Sequence, residues 1–79
     1  MKQADLITLI KAGDINEVVF FKGAGDTSWA VHAYGNVANT FGNCLKTGRT
    51  NEAKTYTSLD RAHAALRELG YCGSIKVDG

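Results

Sequence analysis

Residues 53–77 read AKTYTSLDRAHAALRELGYCGSIKV, and this stretch decides the fold class. Its middle, Leu59 to Leu69, has the spacing of an amphipathic helix. Leu59, Ala62, Ala65, Leu66 and Leu69 form one stripe, while Asp60, Arg61, Ala64, Arg67 and Glu68 face away. Ser58 stands where an N-cap is needed, Asp60 lies in the first turn, and Gly70 supplies the stop. Each leucine buried on that stripe contributes about 1.5–3 kcal/mol, so this face is a large part of the core. On either side lie strand-forming segments: Ala53 to Thr57, with Thr55, Tyr56 and Thr57, and Ser74 to Val77, with Ile75 and Val77 on one face.

Toward the N-terminus, Glu17 to Lys22 (EVVFFK) is the best strand in the chain. Val18, Val19, Phe20 and Phe21 are apolar on both faces, which points to a central strand covered on each side. Gly23 to Asp26 reads as a turn. Ser28 to Tyr34 reads as a second strand, with Trp29, Val31 and Ala33 alternating against Ser28, Ala30, His32 and Tyr34. Ahead of this hairpin, Leu6, Ile7, Leu9 and Ile10 predict a short helix over Ala4 to Ala12, stopped by Gly13. Such a short helix is unstable alone and must dock. Gly35 to Asn43 reads as loop, with Val37 and Phe41 expected to be partly buried. Asn43 to Thr47 is expected to be a third strand and Gly48 to Glu52 a turn. The order α-β-β-β-β-α-β predicts a single α+β domain over residues 1–79, a mostly antiparallel sheet of four to five strands with two short helices.

With 79 residues the chain holds one small domain. A chain this short buries only about 60% of the surface its unfolded form exposes, and its core alone supplies no more than roughly 3–5 kcal/mol. At 44% apolar and 22% charged residues it lies outside the range of disordered chains. No run approaches the ~18 apolar residues of a membrane helix. Nine basic against eight acidic residues leave +1, so the chain as a whole is not a polyanion binder. Two cysteines are too few for a disulfide scaffold, and Met1 to Gly13 lacks the apolar length of a secretory signal. The expected compartment is the reducing cytoplasm, with both thiols free and no membrane partner.

His32, His63, Cys44 and Cys72 have the side chains of a two-Cys, two-His zinc site, but no close pair that would build half a tetrahedron from one turn. The simpler reading is two buried thiols and two unconnected histidines, with no metal and no cofactor. Cys44 and His32 can lie close, yet no nucleophile, base and orienting group can be assigned together, so the chain is read as a non-enzyme with no evident small-molecule substrate. Gly23 to Asp26 is glycine-rich, but it opens a strand, whereas phosphate cradles open a helix.

The region from Asn43 to Arg61 is more informative. From Thr27 to Asn51 there is no acidic residue, while Lys46 and Arg49 lie in that span. A turn centred on Thr50 would set Lys46 opposite Lys54 and Cys44 opposite Tyr56. Opposed like charges are unfavourable on a ladder, and make more sense if an anion sits between them. Lys46, Arg49, Lys54 and Arg61 are therefore the candidate nucleic-acid-binding residues. Asn43, Asn51, Thr47, Thr50 and Thr55 add the amides and hydroxyls that contact phosphates, and a two-stranded ribbon fits a major groove. Against this, Glu52 and Asp60 reduce the stretch to +2, and lysines on edge strands commonly serve to block aggregation. Trp29 shares a face with Val31 and Ala33 and is read as core, while Tyr34, on the His32 face, is free to be exposed.

Leu45-Lys46-Thr47-Gly48-Arg49, then Tyr56-Thr57-Ser58-Leu59-Asp60-Arg61-Ala62, Leu66-Arg67-Glu68-Leu69-Gly70-Tyr71 and Ile75-Lys76-Val77-Asp78 together resemble small accessory proteins of bacterial plasmids and other mobile elements. In these a "T-x-R" hairpin leads into an aromatic residue, "S-L-D", an amphipathic helix ending "L-G" and a short "V-D" strand. The resemblance covers Leu45 to the C-terminus and implies a mobile-element accessory role and a hairpin-helix-strand fold. Two functions stay open: nucleic-acid binding through the basic hairpin, or a protein-interaction module, including a homodimer, using a sheet edge or a face carrying Tyr34 and Tyr56.

Overall fold

A computed structural model describes residues 1–40, 42–48 and 52–78. In chain order these form α1 (Gln3–Lys11), β1 (Ile15–Phe21), β2 (Trp29–Gly35), a single 3-10 turn (Ala38–Thr40), β3 (Thr55–Tyr56), α2 (Leu59–Glu68) and β4 (Ile75–Asp78). The α+β class is as expected. The sheet among the described residues has four strands in the order β3-β2-β1-β4.

The expectation of a mostly antiparallel sheet is corrected: the sheet is mixed. β1 pairs antiparallel with β2, and β2 with β3, but β4 lies parallel to β1, with Val18 beside Ile75 and Phe20 beside Val77. The reason is the connection. A parallel return needs a crossover of a dozen or more residues, and the segment carrying α2 supplies it, from β3 at one edge to β4 at the other.

The third predicted strand is also corrected. Asn43 to Thr47 forms isolated bridges: Cys44 pairs with His32, while Lys46 pairs with Ala53 on one side and in parallel with Lys2 on the other. The N–H of Leu45 donates to the Val31 carbonyl at 2.8 Å, and that of Lys46 to the Met1 carbonyl at 2.8 Å. This segment is thus wedged between β2 and the N-terminus, and the predicted fourth strand shrinks to the two residues of β3.

The two helices close one face of the sheet. Val18, Phe20, Val31 and Ala33 alternate onto that face and are fully buried with Leu6 and Leu9 of α1 and Ala62 and Leu66 of α2. The opposite face carries no helix among the described residues. Phe21 and Tyr34 are therefore exposed, and β1 is central in the sheet but not covered on both sides as its sequence indicated.

Local chemistry fixes the helix ends. Ser58 Oγ accepts from the Arg61 N–H at 3.2 Å. Lys2, at the N-cap of α1, offers no acceptor side chain; instead Asp5 accepts from the Lys2 N–H at 3.3 Å. Both helices end in the same left-handed glycine motif. Gly13 and Gly70 adopt φ of 73° and 95°, and carbonyls of the last turn accept from Gly13 and Asp14, and from Gly70 and Tyr71. Beyond β2, the Asp14 carboxylate accepts from the N–H groups of Val37 and Ala38 at 3.1 and 2.8 Å, which holds its pKa below the ordinary value. It thereby caps the 3-10 turn that buries Ala38. Val37, expected to be partly buried, is exposed instead; Phe41 lies outside the described residues.

Candidate nucleic-acid interface

The hairpin after β2 is in a different register from the one its sequence suggested. Lys46 stands opposite Ala53, not Lys54; the Lys54 N–H donates to the Leu45 carbonyl and the Thr47 N–H to the Glu52 carbonyl. A ladder in this register closes on an even number of turn residues, whereas a turn centred on Thr50 needs an odd number. Side chains alternate along a strand, so the one-residue shift sends Lys46 and Lys54 to opposite faces of the ribbon. Cys44 and Tyr56 are not opposed either: Cys44 pairs with His32 and Tyr56 with Trp29.

The two lysines still meet at one place. A surface depression of about 340 Å3 is lined by Lys2, Lys46 and Lys54 together with Gln3, Thr47 and Gly48. No carboxylate lines it. The Lys2–Lys46 bridge brings the first turn of α1 to the hairpin. Among the described residues none of the three lysines is ion-paired; the ion pair found there joins Lys76 to Glu17 at 3.3 Å. Lys54 Nζ lies 5.5 Å from the Tyr56 ring. That ring packs against the core, and burial, then the nearby Glu68 carboxylate, pushes its phenol pKa up.

Of the four candidate residues, Lys46 and Lys54 are thus brought together. Arg61 is exposed on α2, with its N–H committed to the Ser58 cap, and it does not line the depression. Arg49 lies outside the described residues, with Thr50 and Asn51. Lys2 and Gln3 are additions that sequence reasoning missed. They stand more than forty residues from Lys46 in the chain, and the pairing that joins them is non-local.

Other candidates can be placed as well. Trp29 packs against the core, with Lys22 Nζ over its ring at 4.8 Å, as a core residue at a sheet margin would. Cys44 is half-buried and Cys72 exposed, so neither is a buried thiol; both are free. Cys44 and His32 are ladder partners, but the thiol is directed at the Leu45 carbonyl, 3.6 Å away. Among the described residues no group of three or more His, Cys, Asp and Glu gathers to hold a metal. A cavity of about 600 Å3 beside α2 is lined by His63, Arg67, Tyr71, Cys72, Gly73 and Ile75. There His63 packs edge-on against Phe20, while the Tyr71 hydroxyl donates to the Ser74 carbonyl at 2.5 Å and the Cys72 thiol faces the Gly70 carbonyl. No helix among the described residues is long and apolar enough to cross a membrane. No family model, curated protein or solved structure matches the chain.

Proposed function

We propose that this is a small cytoplasmic accessory protein, of the kind carried by mobile elements, that binds nucleic acid through its backbone phosphates and turns over no substrate. The observation that carries this reading is the depression lined by Lys2, Lys46 and Lys54, with no carboxylate in its lining, no ion pair on any of the three lysines among the described residues, and Gln3 beside them. These are the groups that fix a protein on a phosphate backbone without reading sequence. Arg49 follows directly after Gly48 in the sequence and adds one more positive charge to this segment. Arg61 serves only as a peripheral charge on α2.

Anisotropy of a labelled oligonucleotide tests this at low salt. Binding is expected to weaken as salt rises, with a log–log slope of roughly −3 on duplex DNA if the three lysines each neutralise one phosphate. Lys46→Glu combined with Lys54→Glu is expected to abolish binding with the circular dichroism unchanged. Binding that survives this pair of substitutions, or does not respond to salt, would overturn the reading.

A further inference from the structure

The face of the sheet opposite the helices carries a second pattern, set by the register. Three rows of side chains cross it. One runs Thr55, Ala30, Phe21, Asp78; the next runs Cys44, His32, Val19, Lys76; the last is Tyr34 and Glu17. Phe21 is 42% and Tyr34 37% exposed, and their rings flank His32 at 5.9 and 6.4 Å. Beside Phe21 is a hollow of about 440 Å3 whose lining includes Ala30, His32, Cys44 and Thr55. Phe21 forms one wall of that hollow and Ala30, on the neighbouring strand, another, so a half-exposed ring and a hollow lie side by side on one face, as a self-complementary interface requires.

Charge argues against nucleic acid here. Glu17, Asp26 and Asp78 outnumber Lys76, and Lys76 is already paired with Glu17. A phosphate backbone would be repelled.

A two-fold axis running along the strands between β1 and β2 reverses each row onto itself. Phe21 of one copy then lies over Ala30 of the other, at the hollow, and Val19 over His32. Glu17 faces the Tyr34 hydroxyl, and Asp78 faces the Thr55 hydroxyl. In these rows the carboxylates belong to β1 and β4, the β2 and β3 residues that would meet them carry hydroxyl groups, and Lys76 would meet Cys44. Within the three rows acceptors meet donors and no like charges are opposed; Asp26, in the turn that joins β1 to β2 beside the axis, lies outside them. Two sheets stacked in this way are aligned, the ordinary arrangement of packed sheets.

We propose that the open face closes on a second copy of this chain, β1 of each over β2 of the other. The small core gives a reason, because association adds buried apolar surface that one chain of this size lacks. The hollow and the lysine depression share no lining residue, so this proposal and the nucleic-acid reading can fail independently.

Sedimentation equilibrium tests it. The wild type is expected at twice its 8.5 kDa, with little response to salt. Phe21→Asp and Ala30→Glu are each expected to weaken self-association roughly thirtyfold or more, as a central contact would, while Val77→Asp, at an exposed position of β4 outside the three rows, leaves it unchanged. A mass of 8.5 kDa at millimolar concentration overturns the proposal. So does a dimer that persists in both folded variants. Should a variant unfold, isotope-filtered NOEs on a mixed-label wild-type sample decide: a contact between the Phe21 ring and the Ala30 methyl of different copies supports the proposal, and a dimer without it overturns it. Binding of an oligonucleotide to this face of a monomer would also overturn it.

Discussion

Along β1 the two faces of the sheet start from the same kind of apolar residue, Val18 and Phe20 against Val19 and Phe21, and end in opposite states. On one, Val18, Phe20, Val31 and Ala33 are fully buried beneath α1 and α2; on the other, the adjacent residues Val19, Phe21, His32 and Tyr34 are left partly or largely open. β1 was apolar on both sides, and only one side is satisfied within a single chain. The difference teaches that a run such as Val18-Val19-Phe20-Phe21 specifies a central strand, but does not say whether the second cover comes from the same chain.

Removing one ring from each face is the sharpest test of that contrast. Phe20→Ala is expected to cost about 3–5 kcal/mol in chemical denaturation, the range for a fully buried aromatic. Phe21→Ala, measured at a dilution where the chain is monomeric, is expected to cost less than about 1 kcal/mol. Equal losses would mean that the two faces are equally covered in the monomer.

A smaller effect is expected at the end of β2. A Cβ on Gly35 would run into the Asp14 carbonyl oxygen, and the backbone there has no flexible side chain to give way. Gly35→Ala is expected to destabilise by about 3 kcal/mol through this overpacking. A neutral result would show that the junction holding α1 against the hairpin yields more readily than the helix-covered core.

The smallest effect concerns Asp14. Its carboxyl is held below the ordinary value by N–H groups of Val37 and Ala38, chiefly the former. A depressed folded pKa gives stability that is present above the unfolded value of about 3.9 and is lost as pH falls through the folded value. The advantage of wild type over Asp14→Asn in thermal melts should therefore be fully present at pH 5, begin to shrink only below about pH 4, and be lost as the pH falls through the depressed folded value. An advantage independent of pH would assign the effect to shape and not to charge.

The parts of the fold written in local pattern were legible. α2, with its stripe, its Ser58 cap and its Gly70 stop, starts at the expected residue and ends one residue early, and the first hairpin pairs as read. What was not legible is non-local. The parallel placement of β4 follows from the crossover, and nothing in Ile75–Asp78 itself encodes direction. The register of the second hairpin depends on the parity of its turn, which spacing alone left one residue out. The candidate site was half visible. Lys46 and Lys54 were found from the charge pattern, but Lys2 joins them only through a bridge that no sequence window spans.

The central claim is that the two surfaces have separate partners, and an amide NMR titration with short duplex and single-stranded DNA at low salt tests it most directly. Shifts are expected at Lys2, Gln3, Lys46, Thr47 and Lys54 and should disappear as salt is added. Amides of Val19, Phe21, His32 and Tyr34 should stay fixed in that titration and move on dilution of the protein alone. A silent titration, or shifts centred on the open face, would contradict the account.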